Sequence, residues 1–131
     1  MIKVLFAHQD PKITSLYHQH LARHFFVEPV TDGLSALRRL RLVRFNTVVS
    51  DYELPLISGP ALLKFVRRQG LYTPIPFIFL SNSPDTGQAL SLGANDWMIQ
   101  SEATPDRLIE TIYRHLKLNR HLINQAIEYG L

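Results

Sequence analysis

Cysteine is absent from this chain, which excludes disulfide staples, thiolate metal sites and thiol nucleophiles, and nothing argues for an oxidising compartment. Long apolar runs are missing as well. No stretch approaches the roughly 18 to 20 apolar residues that span a bilayer, and the opening run in MIKVLFAHQDP is too short for a signal peptide. The expected address is therefore the cytoplasm, with no membrane partner. Glycine is sparse, at 6 residues. None follows the first apolar run to cradle a phosphate, there is no G-x-S-x-G elbow, and no serine stands in readable spacing with a histidine and an acid. A strong excess of one charge is also lacking: the formal net charge is +3, with a modest basic cluster at Arg38, Arg39, Arg41 and Arg44. Such a cluster ordinarily marks a solvated helix face. With no interleaved aromatic platform or reading motif beside it, nucleic acid is not an expected partner.

What is present is an alternation. The runs Ile2 to Ala7, Phe45 to Ser50, Phe77 to Leu80 and Trp97 to Ile99 read as strands separated by segments of helical period, the pattern of parallel βαβ units. Their apolar residues are consecutive, as expected of a sheet covered on both faces. A weaker strand, Phe26 to Thr31, contains Pro29, which cannot donate to a ladder and so belongs at an edge. That placement fits the strand order 2-1-3-4-5. Helix starts are marked by Asp10-Pro11, Ser58-Gly59-Pro60, Ser83-Pro84-Asp85 and Thr104-Pro105-Asp106, each with a capping side chain ahead of a first-turn proline, and Asp32 caps the remaining helix. At 131 residues, five such units fill the chain as a single domain, residues 1–131. The last helix is unusual. Its stripe Leu108, Ile109, Ile112 and Leu116 continues through Leu122, Ile123, Ala126 and Ile127, so an extension of about residues 118–131 is expected either to fold back or fray, or to pair in a homodimer or with a docking partner.

In an open parallel sheet the functional crevice lies outside the carboxyl ends of the strands, at the switch point. The residues there are His8, Gln9 and Asp10, then Asp51 to Glu53, Ser81 and Asn82, and finally Gln100 and Ser101. A carboxylate ending a buried strand is costly unless it is paired or exposed, which singles out Asp51. His8 beside Asp51 and Glu53 would suit Mn²⁺ or Zn²⁺, although a partly exposed histidine is the plainer expectation. His20 and His24 read as neighbours one turn apart on the first helix, without a third ligand.

Asp51-Tyr-Glu-Leu-Pro55 followed by Gly59, then Ile75 to Ser81, then Gly93-Ala-Asn-Asp-Trp97, resembles in order and spacing the receiver domain of two-component response regulators, over essentially the whole chain. The resemblance implies a flavodoxin-like, doubly wound, five-stranded parallel sheet with helices on both faces. It implies Asp51 as phospho-acceptor, Pro55 and Gly59 as the residues shaping its loop, Ser81 as the hydroxyl that senses the phosphoryl group and Trp97 as the aromatic that swings inward with it. It also implies signalling to a protein partner, a histidine kinase or an effector, and no enzyme activity in the ordinary sense.

The departures are specific. Where receivers carry the acid pair that holds Mg²⁺, this chain has His8 and Gln9; where they carry a lysine, usually followed by proline, it has Gln100 and Ser101. The segment between Ser81 and Gln100 is about three residues short, close to one helical turn. The remaining Mg²⁺ ligands, Asp51, a backbone carbonyl near Glu53 and the Gln9 amide oxygen, make a poor cage for a cation that demands octahedral oxygen geometry. Phosphorylation at Asp51 is expected to be weak or absent and the chain to act as a degenerate, pseudo-receiver interaction module. A working phosphoswitch served by a histidine kinase is the alternative, and a small flavodoxin-like enzyme is a third reading without motif support.

Overall fold

A computed structural model describes residues 1–68, 75–82 and 90–128, the stretch 119–128 as backbone alone. The first strand, β1 (Lys3–Ala7), leads through α1 (Pro11–Leu21) to β2 (Phe26–Val30), and α2 (Gly33–Leu42) then leads to β3 (Thr47–Ser50). Helix α3 (Gly59–Arg68), β4 (Phe77–Ser81), β5 (Asp96–Ile99) and α4 (Pro105–Glu128) complete the described elements. The strands form one parallel sheet in the order β2-β1-β3-β4-β5, so the expected fold class and topology hold. Pro29 sits on the outer strand β2, opposite Phe6, where its missing N–H faces no neighbour.

The consecutive apolar runs divide by parity between two layers. Leu5, Ala7, Val48, Phe77 and Phe79 face one core with Ala36 of α2 and Leu62, Leu63 and Val66 of α3. Val4, Phe6, Val49, Ile78 and Leu80 face the other with Tyr17 and Leu21 of α1 and Leu108, Ile109 and Ile112 of α4. Because side chains alternate along a strand, a sheet covered on both faces buries successive positions, and β3 and β4 are buried throughout and β1 from Val4 on.

Local chemistry fixes the helix starts. The Asp10 carboxylate accepts from Lys12 N–H with Pro11 in the first turn, and Asp32 accepts from Ser35 N–H. Hydroxyls do the same work more weakly at α3, where Ser58 Oγ takes Ala61 N–H, and at α4, where Thr104 Oγ1 takes Arg107 N–H. The Ser83-Pro84-Asp85 start and the shortened segment around it lie outside the described residues. So do the side chains of Leu122, Ile123, Ala126 and Ile127, although α4 itself runs unbroken to Glu128.

One expectation is corrected. His24 is not on the first helix: α1 ends at Leu21 with Ala22 as its cap, and His24 stands in the following turn, edge-on to Tyr113 at 6.1 Å. The His20/His24 spacing therefore makes no helical pair. Among the described residues no group of histidine, aspartate or glutamate side chains converges as a metal site.

Candidate functional site

The carboxyl ends of β1, β3, β4 and β5 open into a cleft of about 580 Å³, lined by His8, Gln9, Asp10, Asp51, Glu53, Ser81, Asn82 and Gln100. These are the residues the switch-point rule singled out, Tyr52 and Ser101 excepted. The sheet ladder carries them there. Asp51 N–H donates to Ala7 O at 2.7 Å, extending the β1·β3 pairing by one residue, and Gln100 N–H donates to Ser81 O at 3.1 Å, extending β4·β5. Ser101 contributes backbone only, its N–H held by Asn82 Oδ1 at 2.9 Å.

Asp51 is 5% exposed, and His8 and Ser81 are each 2% exposed. A carboxylate so deeply set needs donors. Ser81 Oγ donates to Asp51 Oδ1 at 2.7 Å, and Glu53 N–H reaches the same oxygen at 3.4 Å. The second oxygen, Oδ2, lies 3.6 Å from His8 Nε2.

The protonation of His8 follows from its neighbours. Asp10 N–H donates to His8 Nδ1 at 3.1 Å, and since a backbone N–H can only donate, Nδ1 must accept. The ring proton is then on Nε2, which donates to Gln100 Oε1 at 2.6 Å. The imidazole is the neutral Nε2–H tautomer, with both nitrogens committed and its N–H held by Gln100, Nε2 itself lying 3.6 Å from Asp51 Oδ2. Sequence reading placed His8 and Gln100 in the cleft but did not pair them. The available signal was their joint departure from the family pattern, 92 residues apart.

This geometry decides what His8 can do for a cation. A metal-binding imidazole presents a lone pair, whereas here the Nδ1 lone pair is taken by Asp10 N–H and Nε2 carries the hydrogen that goes to Gln100. Of the remaining donors, Gln9 and Glu53 are exposed at the rim, and Asp51 Oδ1 is already taken by Ser81. The residues present do not fit an octahedral Mg²⁺ site. The cleft's charge is one-sided: three carboxylates line it, with no lysine or arginine among the described lining residues.

Gly59 and Pro55 shape the loop that carries Asp51. Gly59 N–H donates to Tyr52 O at 2.9 Å, and a Cβ at Gly59 would overlap the Asp51 carbonyl oxygen. Pro55 O accepts from Ile57 N–H at 2.8 Å and from Gly33 N–H at 3.0 Å, closing a tight turn around Leu56 and tying it to the start of α2. Trp97 packs between Tyr52 (5.4 Å between centroids) and Phe79 (5.3 Å), within the α2/α3 core layer. Tyr52 as the neighbour of Trp97 was not anticipated, because one follows β3 and the other lies on β5.

A comparison with protein families matches residues 4–113 to the response regulator receiver domain. The transcriptional regulatory protein TrcR of Mycobacterium tuberculosis is 30% identical over 131 residues, covering 97% of this chain and 50% of that protein. The response regulator protein PmrA of Pseudomonas aeruginosa is 37% identical over 102 residues, covering 77% of this chain and 44% of that protein. The chain thus spans about half the length of these curated relatives. Among solved structures, the chemotaxis response regulator CheY4 of Vibrio cholerae superimposes with a TM-score of 0.78 at 30% identity, covering 87% of this chain and 98% of that one.

Proposed function

The chain belongs to the response regulator receiver domain family, and on that footing we propose that it works as a receiver-type interaction module whose surface is set without phosphorylation. Phosphoryl transfer is catalysed mainly by positioning and by positive charge at the equatorial oxygens. The Asp51 cleft offers neither metal cage nor lysine, and its carboxylates repel an incoming phosphoryl donor. Removing one charge-stabilising group commonly slows such a reaction by about a hundredfold or more, and here two suppliers are replaced.

One observation carries this reading: the replacing residues His8 and Gln100 are bonded to each other at 2.6 Å, beside an acceptor that the retained Ser81 already holds at 2.7 Å. In the roles the family assigns, Ser81 is the sensing hydroxyl and Trp97 the coupled aromatic. With Ser81 already drawn to Asp51 and Trp97 packed on Tyr52, the switch rests in one position with no phosphate to hold it. Receiver domains commonly bind Mg²⁺ at this place; in this chain Asp51, the backbone near Glu53 and Gln9 would hold it weakly at best.

The partner is a protein, of the histidine kinase or effector class, met in the cytoplasm. The continuation of α4 to Glu128, with the stripe Leu122, Ile123, Ala126 and Ile127, adds a homodimer contact. Light scattering with and without the residues after Leu118 tests that contact, and equal mass in both forms removes it.

The phosphate-independent reading is tested by titrating the folded chain with Mg²⁺ and then beryllofluoride while following Trp97 emission, alongside intact-mass measurement after acetyl phosphate. The expected result is a flat trace and no added phosphoryl mass. A saturable two-step response with labelling at Asp51 assigns the chain to the working phosphoswitch instead.

A further inference from the structure

The end of the sheet opposite Asp51 carries a second feature that the receiver reading does not use. From Gly33 to Ser81 the chain has seven basic residues and two acids, and both acids, Asp51 and Glu53, lie at the cleft. The arginines gather where α2 and α3 end. Two of them are committed: Arg39 grips Glu28 through both carboxylate oxygens at 2.5 and 2.9 Å, and Arg67 donates to Gly93 O, Ile75 O and Asn95 Oδ1. Arg41 and Arg44 have no hydrogen bond or ion pair among the described residues. Both line a groove of about 300 Å³ together with Leu40, Phe45, Phe65 and Leu42, the last 77% exposed.

We propose that this groove is a binding site for a free amphipathic carboxylate, a short acyl chain ending in –COO⁻. An apolar recess with a few polar groups at its mouth is the usual form of a small-molecule site, and about 300 Å³ is the lower end of the usual size range. The forked guanidinium donors of arginine match a carboxylate in two-point geometry. Helix electrostatics accounts for part of the charge without a ligand, since Arg41 lies in the last turn of α2, where a cation offsets the dipole. It does not account for Arg44, which follows the cap residue Val43, nor for two arginines lining one apolar recess with no partner among the described residues. The acyl chain lies along Leu40, Phe45 and Phe65 and covers Leu42, and the carboxylate lies between Arg41 and Arg44.

The test is a ¹⁵N NMR titration of the full chain with decanoate below its micellar concentration, repeated with 1-decanol and decyltrimethylammonium, and then with the R41Q/R44Q variant. The expected result is saturable decanoate shifts confined to residues 40–45, 65–66 and 75, with binding weakened roughly tenfold or more in the variant. The variant's unperturbed amide dispersion reports that it still folds, both substitutions being at exposed positions. No saturable shift, equal binding of the cationic or neutral amphiphile, undiminished binding to the variant, or shifts centred on the Asp51 cleft would each overturn the proposal. Asp51 labelling does not enter the measurement, so its outcome is separate from that of the phosphate-independent reading.

Discussion

The two ends of the parallel sheet are built on opposite principles. At the carboxyl end, Asp51, His8, Ser81 and Gln100 meet side chain to side chain in an acidic cleft, each replaceable residue satisfying another. At the amino end, one side chain, Arg67, holds the chain together by gripping backbone: its guanidinium donates to the carbonyls of Gly93 and Ile75, and to Asn95 Oδ1 at 2.7 Å, while Asn95 Oδ1 also takes Phe77 N–H at 2.8 Å. Burial holds the Arg67 guanidinium below the usual arginine range, and its partners are all neutral. The difference separates duties. Side-chain networks can be exchanged as sets without moving the backbone, so the carboxyl end can change its chemistry. A clamp on carbonyls fixes where β4 and β5 begin, and so fixes the frame in which that chemistry is exchanged.

The largest effect is expected from breaking the clamp. Arg67→Ala removes the guanidinium donors from two carbonyls and leaves Asn95 Oδ1 with Phe77 N–H alone, and should lower the unfolding free energy by about 3 kcal/mol in urea titration. Arg67→Lys should recover less than half of that, because an ammonium cannot span three acceptors at once. Full recovery by lysine would mean that the charge, not the fork, is what the amino end requires.

The carboxyl end should instead tolerate exchange and gain function. In H8D/Q9D/Q100K the cleft regains the acid pair and the lysine, and acetyl phosphate labelling of Asp51 should rise by on the order of a hundredfold or more. The variant alone should also gain thermal stability with Mg²⁺, by the linkage of a ligand that binds only the folded state. Ser81→Ala tests the network more gently. It removes one hydrogen bond to a buried carboxylate, a loss of about 1.5 to 2 kcal/mol, and should free Trp97 emission to respond to mutation at Tyr52.

What could be read from the sequence follows the same division. The strand order and the cleft membership of His8, Asp51, Ser81 and Gln100 were legible because apolar runs and strand ends are local signals that a general topological rule converts into place. The His8–Gln100 bond was not legible, since pairing across 92 residues depends on rotamers and on which nitrogen of the ring accepts from Asp10. The Arg67 clamp was invisible for a different reason: its partners are carbonyls, which every residue carries. The misplaced His24 came from extending helical period past Leu21, where no glycine or proline marks the stop.

The helix caps at the carboxyl edge set a pH dependence of known sign. The Ser35 N–H, then the Ser35 hydroxyl, hold the Asp32 carboxyl below its ordinary value. Its folded-state pKa is thus the lower one, so its stabilisation is complete above the unfolded aspartate pKa of about 4 and is lost as pH falls through the folded value. Asp32→Ala should cost about 1 kcal/mol at neutral pH and flatten the acid limb of the stability profile. Asp32→Asn should keep most of the cap while flattening that limb equally.

The smallest expected effect has the opposite sign and concerns the loop that follows Asp51 at the carboxyl edge. Leu56 has φ of 71° and is 78% exposed, held there by the Ile57 N–H and Gly33 N–H bonds to Pro55 O. A left-handed conformation costs a non-glycine residue roughly 1 to 2 kcal/mol, whereas glycine adopts it freely but loses roughly 0.5 to 1 kcal/mol of extra chain entropy on folding. Leu56→Gly should therefore raise stability by about 0.5 to 1 kcal/mol, because the exposed leucine side chain gives up little burial. A drop in stability would mean that the Leu56 side chain stabilises the folded state through contacts its exposure does not suggest, and that the carboxyl edge, like the amino edge, is held by more than its cleft network.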